Sequence, residues 1–300
     1  EKKRGMLGKD GKELLPVKYD YLVHFSENLL QVKLNSKCGF LDSSGHEIIP
    51  LSYDDVRGFR GGLAPARLGQ KWGAIDKKGS TIIPFDYGSL EAITDTLFVF
   101  QSGTQYGLLS YKNKVILPAS YTSIDIWNGF PAIVELNGRF GLIDLQGSVI
   151  LRAEYDQIKA FREGYAIVYN SKKAGLIDST GRPICSPKYD YIGGYRQERA
   201  LVNIGGHMCT GDASCWEGGK WGFIDKSGLE VVPLIYSAAY YFTDGLAAVQ
   251  KEGKWGFIDA KGKVVIPLNY EQVTRFKEGF SSVKKGEEYF LIDKNGKRVD

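Results

Sequence analysis

The stretch Lys220-Trp221-Gly222-Phe223-Ile224-Asp225 is followed by Gly228, Val231-Val232-Pro233, Tyr236 and Gly245-Leu246-Ala247-Ala248-Val249, and it holds the plan of the whole chain. Thirty-four residues after Gly222 the same order returns in Lys254-Trp255-Gly256-Phe257-Ile258-Asp259, with Ile266-Pro267, Tyr270 and Gly279 behind it. Traced in both directions, the glycine recurs as Gly5, Gly39, Gly73, Gly107, Gly141, Gly175, Gly222 and Gly256, and Phe290 takes the ninth place. Every step is 34 residues except Gly175 to Gly222, which is 47, one unit plus an insertion of 13. Fixed-period self-similarity means one supersecondary unit copied in tandem, each copy burying its apolar face on its neighbours.

The residue before the glycine is Trp72, Trp221 or Trp255 in three copies, Tyr106, Phe140 or Tyr289 in three more, and Arg4, Cys38 or Ala174 in the rest. A proline or a pair of glycines would fall inside any helix long enough to fill the unit, at a cost of roughly 3 kcal/mol for Pro and 1 for Gly. The apolar runs are short, β-branched or aromatic, and bounded by Gly, Asp and Pro, so they read as strands. Asp followed three residues later by Gly (Asp42, Asp76, Asp144, Asp178, Asp225, Asp259, Asp293) predicts a tight hairpin turn, with Asp accepting backbone N–H groups and Gly in the left-handed region. The seven-fold recurrence marks these carboxylates as structural. On this reading the Trp-Gly strand pairs with the Val/Ile strand. The Pro ends that second strand, the following Tyr opens a short third, and the Ala/Val-rich run is a fourth. The glycine is expected to leave a gap in which an aromatic ring of an adjacent unit lies flat.

These motifs resemble those of the WG repeat family of bacterial proteins, and the resemblance covers essentially the whole chain outside the insertion. It implies a β-rich binding or scaffolding module and brings no shared catalytic residues. The expected fold is therefore all-β: tandem 34-residue antiparallel β-meander repeats, eight complete copies plus a terminal hairpin. One array over residues 1–300 is expected, with the insertion at about 205–217. Four strands per copy suit a propeller-like toroid, with an open β-solenoid as the alternative.

A hydrophobic fraction of 43% supplies a large core. Net charge is only +4 across 39 basic and 35 acidic residues, which does not suggest nucleic acid as a partner. No run approaches the roughly 18 apolar residues of a membrane span. Lysines at turn tips (Lys77, Lys78, Lys226, Lys261, Lys263) read as solvated. The chain opens at Glu1 rather than Met, so a removed leader or longer segment is expected. Cys38 and Cys185 sit at repeat positions and read as small buried hydrophobes. Cys209 and Cys215 lie in the insertion with five residues between them, and a disulfide closing that loop is expected. That bridge points to an exported location, periplasmic, cell-surface or secreted, with the cytoplasm as the alternative.

Loops inserted into repeat arrays often carry the binding face, so His207, Asp212 and Trp216 are candidate contacts. Zinc held by His207, Cys209, Cys215 and Asp212 is the less favoured reading of the insertion, because the spacing matches no zinc knuckle. Other irregular positions are Arg57, Arg60 and Arg67 around Phe59, then Trp127 with Asn128, and Tyr240-Tyr241. A solvated strand edge is the plain reading of the arginines, and core packing that of the rings. No nucleophile–base arrangement or phosphate loop is present, and no cofactor is expected. The functional expectation is a non-catalytic module binding a protein or glycan. The alternatives are a sugar-active hydrolase using irregular acids such as Asp95, Glu135 or Glu198, and a structural or sensory arm of a larger protein.

Overall fold

The computed structural model describes residues 2–8, 11–126, 129, 131–208 and 216–299. Trp127, Cys209, Asp212 and Cys215 lie outside the described residues. Among those described, every regular element is a β-strand. Each repeat is one antiparallel sheet whose four strands lie side by side in chain order. In residues 238–270 these are Ala238–Ala239, Ala247–Lys251, Lys254–Ile258 and Val264–Tyr270. A sheet begins two residues after one recurrent Tyr and ends on the next.

The chain divides into two compact units, Glu1–Ala153 and Glu154–Asp300, and the boundary falls inside the strand Val149–Tyr155. The first unit holds the hairpin Arg4–Leu7 with Glu13–Tyr19, then sheets over 21–53, 55–87 and 89–121 and all but the last two residues of the sheet over 123–155. The second holds sheets over 157–189, 191–236 and 238–270, then a three-stranded sheet over 272–293. Cutting at Tyr rather than at Gly therefore gives seven complete sheets among the described residues, with a hairpin before them and three strands after.

The turn chemistry follows the sequence reading. Asp225 Oδ1 accepts the N–H groups of Ser227 at 2.9 Å and Leu229 at 3.1 Å, and Asp259 Oδ1 those of Lys261 and Lys263 at 2.9 Å. Gly228 and Gly262 follow at φ +81°. In the Tyr106 copy, Ser110 and the positive-φ residue Asn113 stand in for Asp and Gly, and Ser110 Oγ accepts the Lys114 N–H.

Three expectations are corrected. The Pro does not end its strand: Val264–Tyr270 runs through Pro267 to the Tyr, on the outer edge where a missing N–H costs no ladder bond. The Tyr accordingly closes that strand instead of opening a third. The gap beside the glycine receives backbone, and at Gly107 the Phe100 ring of the preceding copy as well. Phe257 pairs with Ile266 and Trp255 with Tyr270, so three residues (267–269) bulge opposite the single Gly256. A Cβ on Gly256 would lie 2.6 Å from the Ile266 carbonyl oxygen; the corresponding distance is 2.5 Å at Gly39, Gly73, Gly141 and Gly222. The repeat glycine is there because the bulge folds a carbonyl onto it.

Successive sheets within a unit are joined by recurring contacts. Phe59 meets Phe40 edge to face at 4.8 Å, Phe242 meets Phe223 at 4.8 Å and Phe276 meets Phe257 at 4.7 Å. Such pairs add roughly 0.5–1.5 kcal/mol beyond the area they bury. Glu27 accepts the Gly62 N–H, and Asp244 accepts that of Gly279 at 2.8 Å, each reaching into the next sheet. The turn-tip lysines are not uniformly solvated: Lys77 pairs with Glu27 at 2.9 Å and Lys226 with Glu198 at 2.7 Å. The small-residue strand is buried, with Ala64, Ala66, Ala247 and Val249 wholly covered. Cys38 is buried as expected, whereas Cys185 is only half-buried.

Candidate functional site: an aromatic groove beside the insertion

One groove recurs where consecutive sheets meet. Its floor is the residue before the repeat glycine, and its walls come from the residues just after the two flanking tyrosines. It appears around Cys38 with Asp20, Tyr21 and Asp55, and around Tyr106 with Ser89, Thr122 and Ser123. Around Trp221 it is lined by Tyr191, Ser237, Tyr240 and Tyr241. There the insertion adds a further wall. The strands Arg199–Met208 and Trp216–Ile224 continue past the sheet as a paired ribbon, with His207 opposite Glu217 and Met208 opposite Trp216. Buried Asn203 braces the base of the ribbon: its Nδ2 donates to the Gly218 carbonyl at 3.1 Å, and its Oδ1 accepts the Gly206 N–H at 2.8 Å. The result is a cavity of about 470 Å³ whose lining includes Trp216, Glu217 and Gly218 beside those rings.

The rings converge at an angle to one another. Tyr191 lies 5.2 Å from Trp216 at 49° and 5.8 Å from Trp221 at 61°. The Tyr191 and Tyr241 hydroxyls are hydrogen-bonded at 2.5 Å. Burial, and then the Tyr241 hydroxyl, push the Tyr191 phenol well above the ordinary tyrosine range. Two hydroxyls sharing one bond leave one proton and further lone pairs for a ligand. Leu201 and Trp221 are buried, whereas Tyr240 and Glu217 are exposed.

What makes this groove unlike the others is the position four residues after the preceding Tyr. In sheet 55–87 it is Arg57, whose guanidinium lies 5.1 Å over Trp72. In sheet 238–270 it is Tyr240, stacked on Trp255 at 4.9 Å. In the insertion-bearing sheet it is Gly193, and a Cβ there would collide with the Tyr241 hydroxyl. The glycine admits Tyr241 to the space that a covering side chain fills elsewhere.

Of the residues singled out in the sequence, Trp216 and the Tyr240-Tyr241 pair come together here, with His207 exposed on the adjoining ribbon. Arg57 and Arg60 belong to the first unit. Arg57 pairs with Glu91 at 3.3 Å, and Arg60 Nε donates to Asp95 at 3.2 Å while its carbonyl accepts the Tyr111 hydroxyl. Sequence reasoning missed Tyr191, Gly193 and Glu217. The available signal was Gly193-Gly194, placed where the Trp72 and Trp255 copies carry a large side chain.

No curated protein matches the chain. Among solved structures, one titled as a eukaryotic initiation factor is 11% identical, covering 99% of this chain and 92% of the other at a TM-score of 0.36. Hsv2p of Kluyveromyces lactis is 10% identical, covering 79% and 92% at 0.34. PorZ, a surface component of the type-IX secretion system of Porphyromonas gingivalis, is 12% identical, covering 98% of this chain and 48% of that one at 0.28. Likeness this low carries no argument about this chain. The repeat itself is decisive. The WG containing repeat matches residues 5–38, 39–72, 72–101, 140–173, 175–206, 221–255 and 255–289, passing over the Tyr106 copy with its Ser110 turn and the insertion. With most of its length matched at the 34-residue period of its sequence, the chain belongs to the WG repeat family.

Proposed function

We propose that this protein is a non-catalytic binding module that takes a protein or glycan partner in the aromatic groove beside the insertion. The repeat β-rich fold is consistent with a binding or scaffold role. The observation that carries the reading is the convergence of Tyr191, Trp216, Trp221, Tyr240 and Tyr241 where the repeat is broken. Rigid aromatic rings at a concave surface are the usual anchors of recognition. The irregular acids that hydrolysis would use are engaged elsewhere, which favours the same reading. Asp95 is paired with Arg60, Glu198 with Lys226, and Glu135 accepts the Ser123 hydroxyl at 3.4 Å. The proposal includes an exported location and a Cys209–Cys215 bridge.

The test is binding to immobilised peptide and glycan arrays by the whole chain and by Trp216→Ala and Tyr240→Ala variants. Both substitutions lie at the groove surface, and circular dichroism should match the parent. Signals lost in both variants support the groove. Signals that persist in both remove the groove from the account.

A further inference from the structure

We infer that the groove beside the insertion receives an organic cation, a guanidinium or ammonium group presented by an arginine or lysine side chain of a partner protein. The inference rests on the groove being the binding site and specifies what enters it.

The chain carries its own precedent. In sheet 55–87 the equivalent tryptophan, Trp72, is covered by two guanidinium groups, Arg57 at 5.1 Å and Arg67 at 5.9 Å. Arg57 is held there by a carboxylate, Glu91, at 3.3 Å. A cation over an indole face is attracted by the ring quadrupole, and a nearby carboxylate adds a separate Coulombic attraction.

The insertion-bearing sheet repeats that framework without the cations. Arg57 is replaced by Gly193, whose place over buried Trp221 is taken by Tyr241, so the rings left open to a partner are half-buried Trp216 and exposed Tyr240. Arg67, the cross-strand partner of Trp72, is replaced by Asn203, the cross-strand partner of Trp221. Among the described residues no Lys or Arg lines the groove, and Glu217 is the one carboxylate in its lining. Rings tilted at 49° and 61° form the walls of a box rather than one flat platform. Converging ring faces with one anionic rim suit a compact positive group. A sugar ring calls instead for a broad flat face, and Tyr191, Trp216 and Trp221, tilted on one another, do not form one, so the geometry favours the cation.

The experiment follows the tryptophan indole N–H signals of the whole chain by NMR during titration with an acetylated, amidated Gly-Arg-Gly peptide. Parallel titrations use the same peptide with citrulline in place of arginine, and a neutral β-linked tetrasaccharide. Citrulline keeps the shape of the side chain but has no charge, with a carbonyl acceptor in place of one NH2 donor. The expected result is saturable movement of the Trp216 signal with the arginine peptide and at least about tenfold weaker binding of the citrulline peptide. Glu217→Gln should weaken arginine binding about fivefold and flatten its salt dependence. Glu217→Lys, at an exposed position, should abolish it. Equal binding of the two peptides, or binding of the tetrasaccharide alone, overturns the cation while leaving the groove as a binding site. An unmoved Trp216 signal in every titration also overturns the cation, and the array experiment then decides separately whether the groove binds anything.

Discussion

Trp255 and Tyr270 face each other across adjacent antiparallel strands, and the residue between Trp255 and Phe257 must be glycine because three residues of the partner strand bulge over it. The same pairing joins Trp221 to Tyr236, Trp72 to Tyr87, Tyr106 to Tyr121 and Cys38 to Tyr53. The floor residue can vary from Trp to Cys because it lies on the groove face. The glycine beside it touches backbone on the other face and is not free to vary.

Two glycines of one copy therefore have different reasons to be glycine. Gly256 has no room for a Cβ, whereas Gly253 has open space but φ +77°. Gly256→Ala is expected to lower stability by about 2 kcal/mol through overpacking. Gly253→Ala should cost about 1 kcal/mol through backbone strain. Asparagine tolerates the left-handed region, so Gly253→Asn should be nearly neutral while Gly256→Asn is as damaging as alanine. Urea denaturation of the four variants checks the ordering.

Stability should fall in acid. The Ser227 hydroxyl, aided by backbone N–H groups, holds the Asp225 carboxyl below the ordinary carboxylate range; the Lys297 N–H does the same for Asp293. A group whose folded pKa is depressed stabilises above its unfolded pKa, about 4, and loses that contribution as pH falls through the folded value. Asp225→Asn should show a shallower loss of melting temperature than the parent between about pH 4.5 and 2.

Alkali should act through tyrosines. Burial first, then the Asp95 carboxylate, push the Tyr111 phenol up to about 12. Burial also raises Tyr189, Tyr191 and Tyr195 far above the ordinary range. A phenol whose folded pKa is raised contributes fully below its unfolded pKa, about 10, and loses that contribution as pH climbs through the folded value. Tyrosinate absorbance should therefore show a late class that ionises only as the fold is lost. Tyr111→Phe should remove one member of it and leave the Arg60 carbonyl without its hydroxyl donor.

The insertion cysteines are expected to be oxidised. Met208 and Trp216, the described residues that flank them, are direct cross-strand partners. Peptide mapping of protein purified without reductant should recover the segments containing Cys209 and Cys215 as one linked species, separated by reduction. Free thiols at both positions in such protein would contradict the bridge and the exported location proposed with it.

The repeat, the strand class, the Asp-x-x-Gly turns and the family were all legible in the sequence. Each depends on residues close together in one copy, and the 34-residue period reports them repeatedly. Even Trp216 and Tyr240-Tyr241 stood out separately as departures from the pattern. Their meeting did not, because Tyr191, Trp216 and Tyr241 are spread over three segments, and only the packing of consecutive sheets brings them to one groove. The same holds for the glycine beside Trp255: the period shows that it recurs, but only the bulged register of the opposing strand shows what occupies the space of its missing side chain. Local turn chemistry writes itself into the chain, whereas contact between distant segments is a property of how the sheets pack.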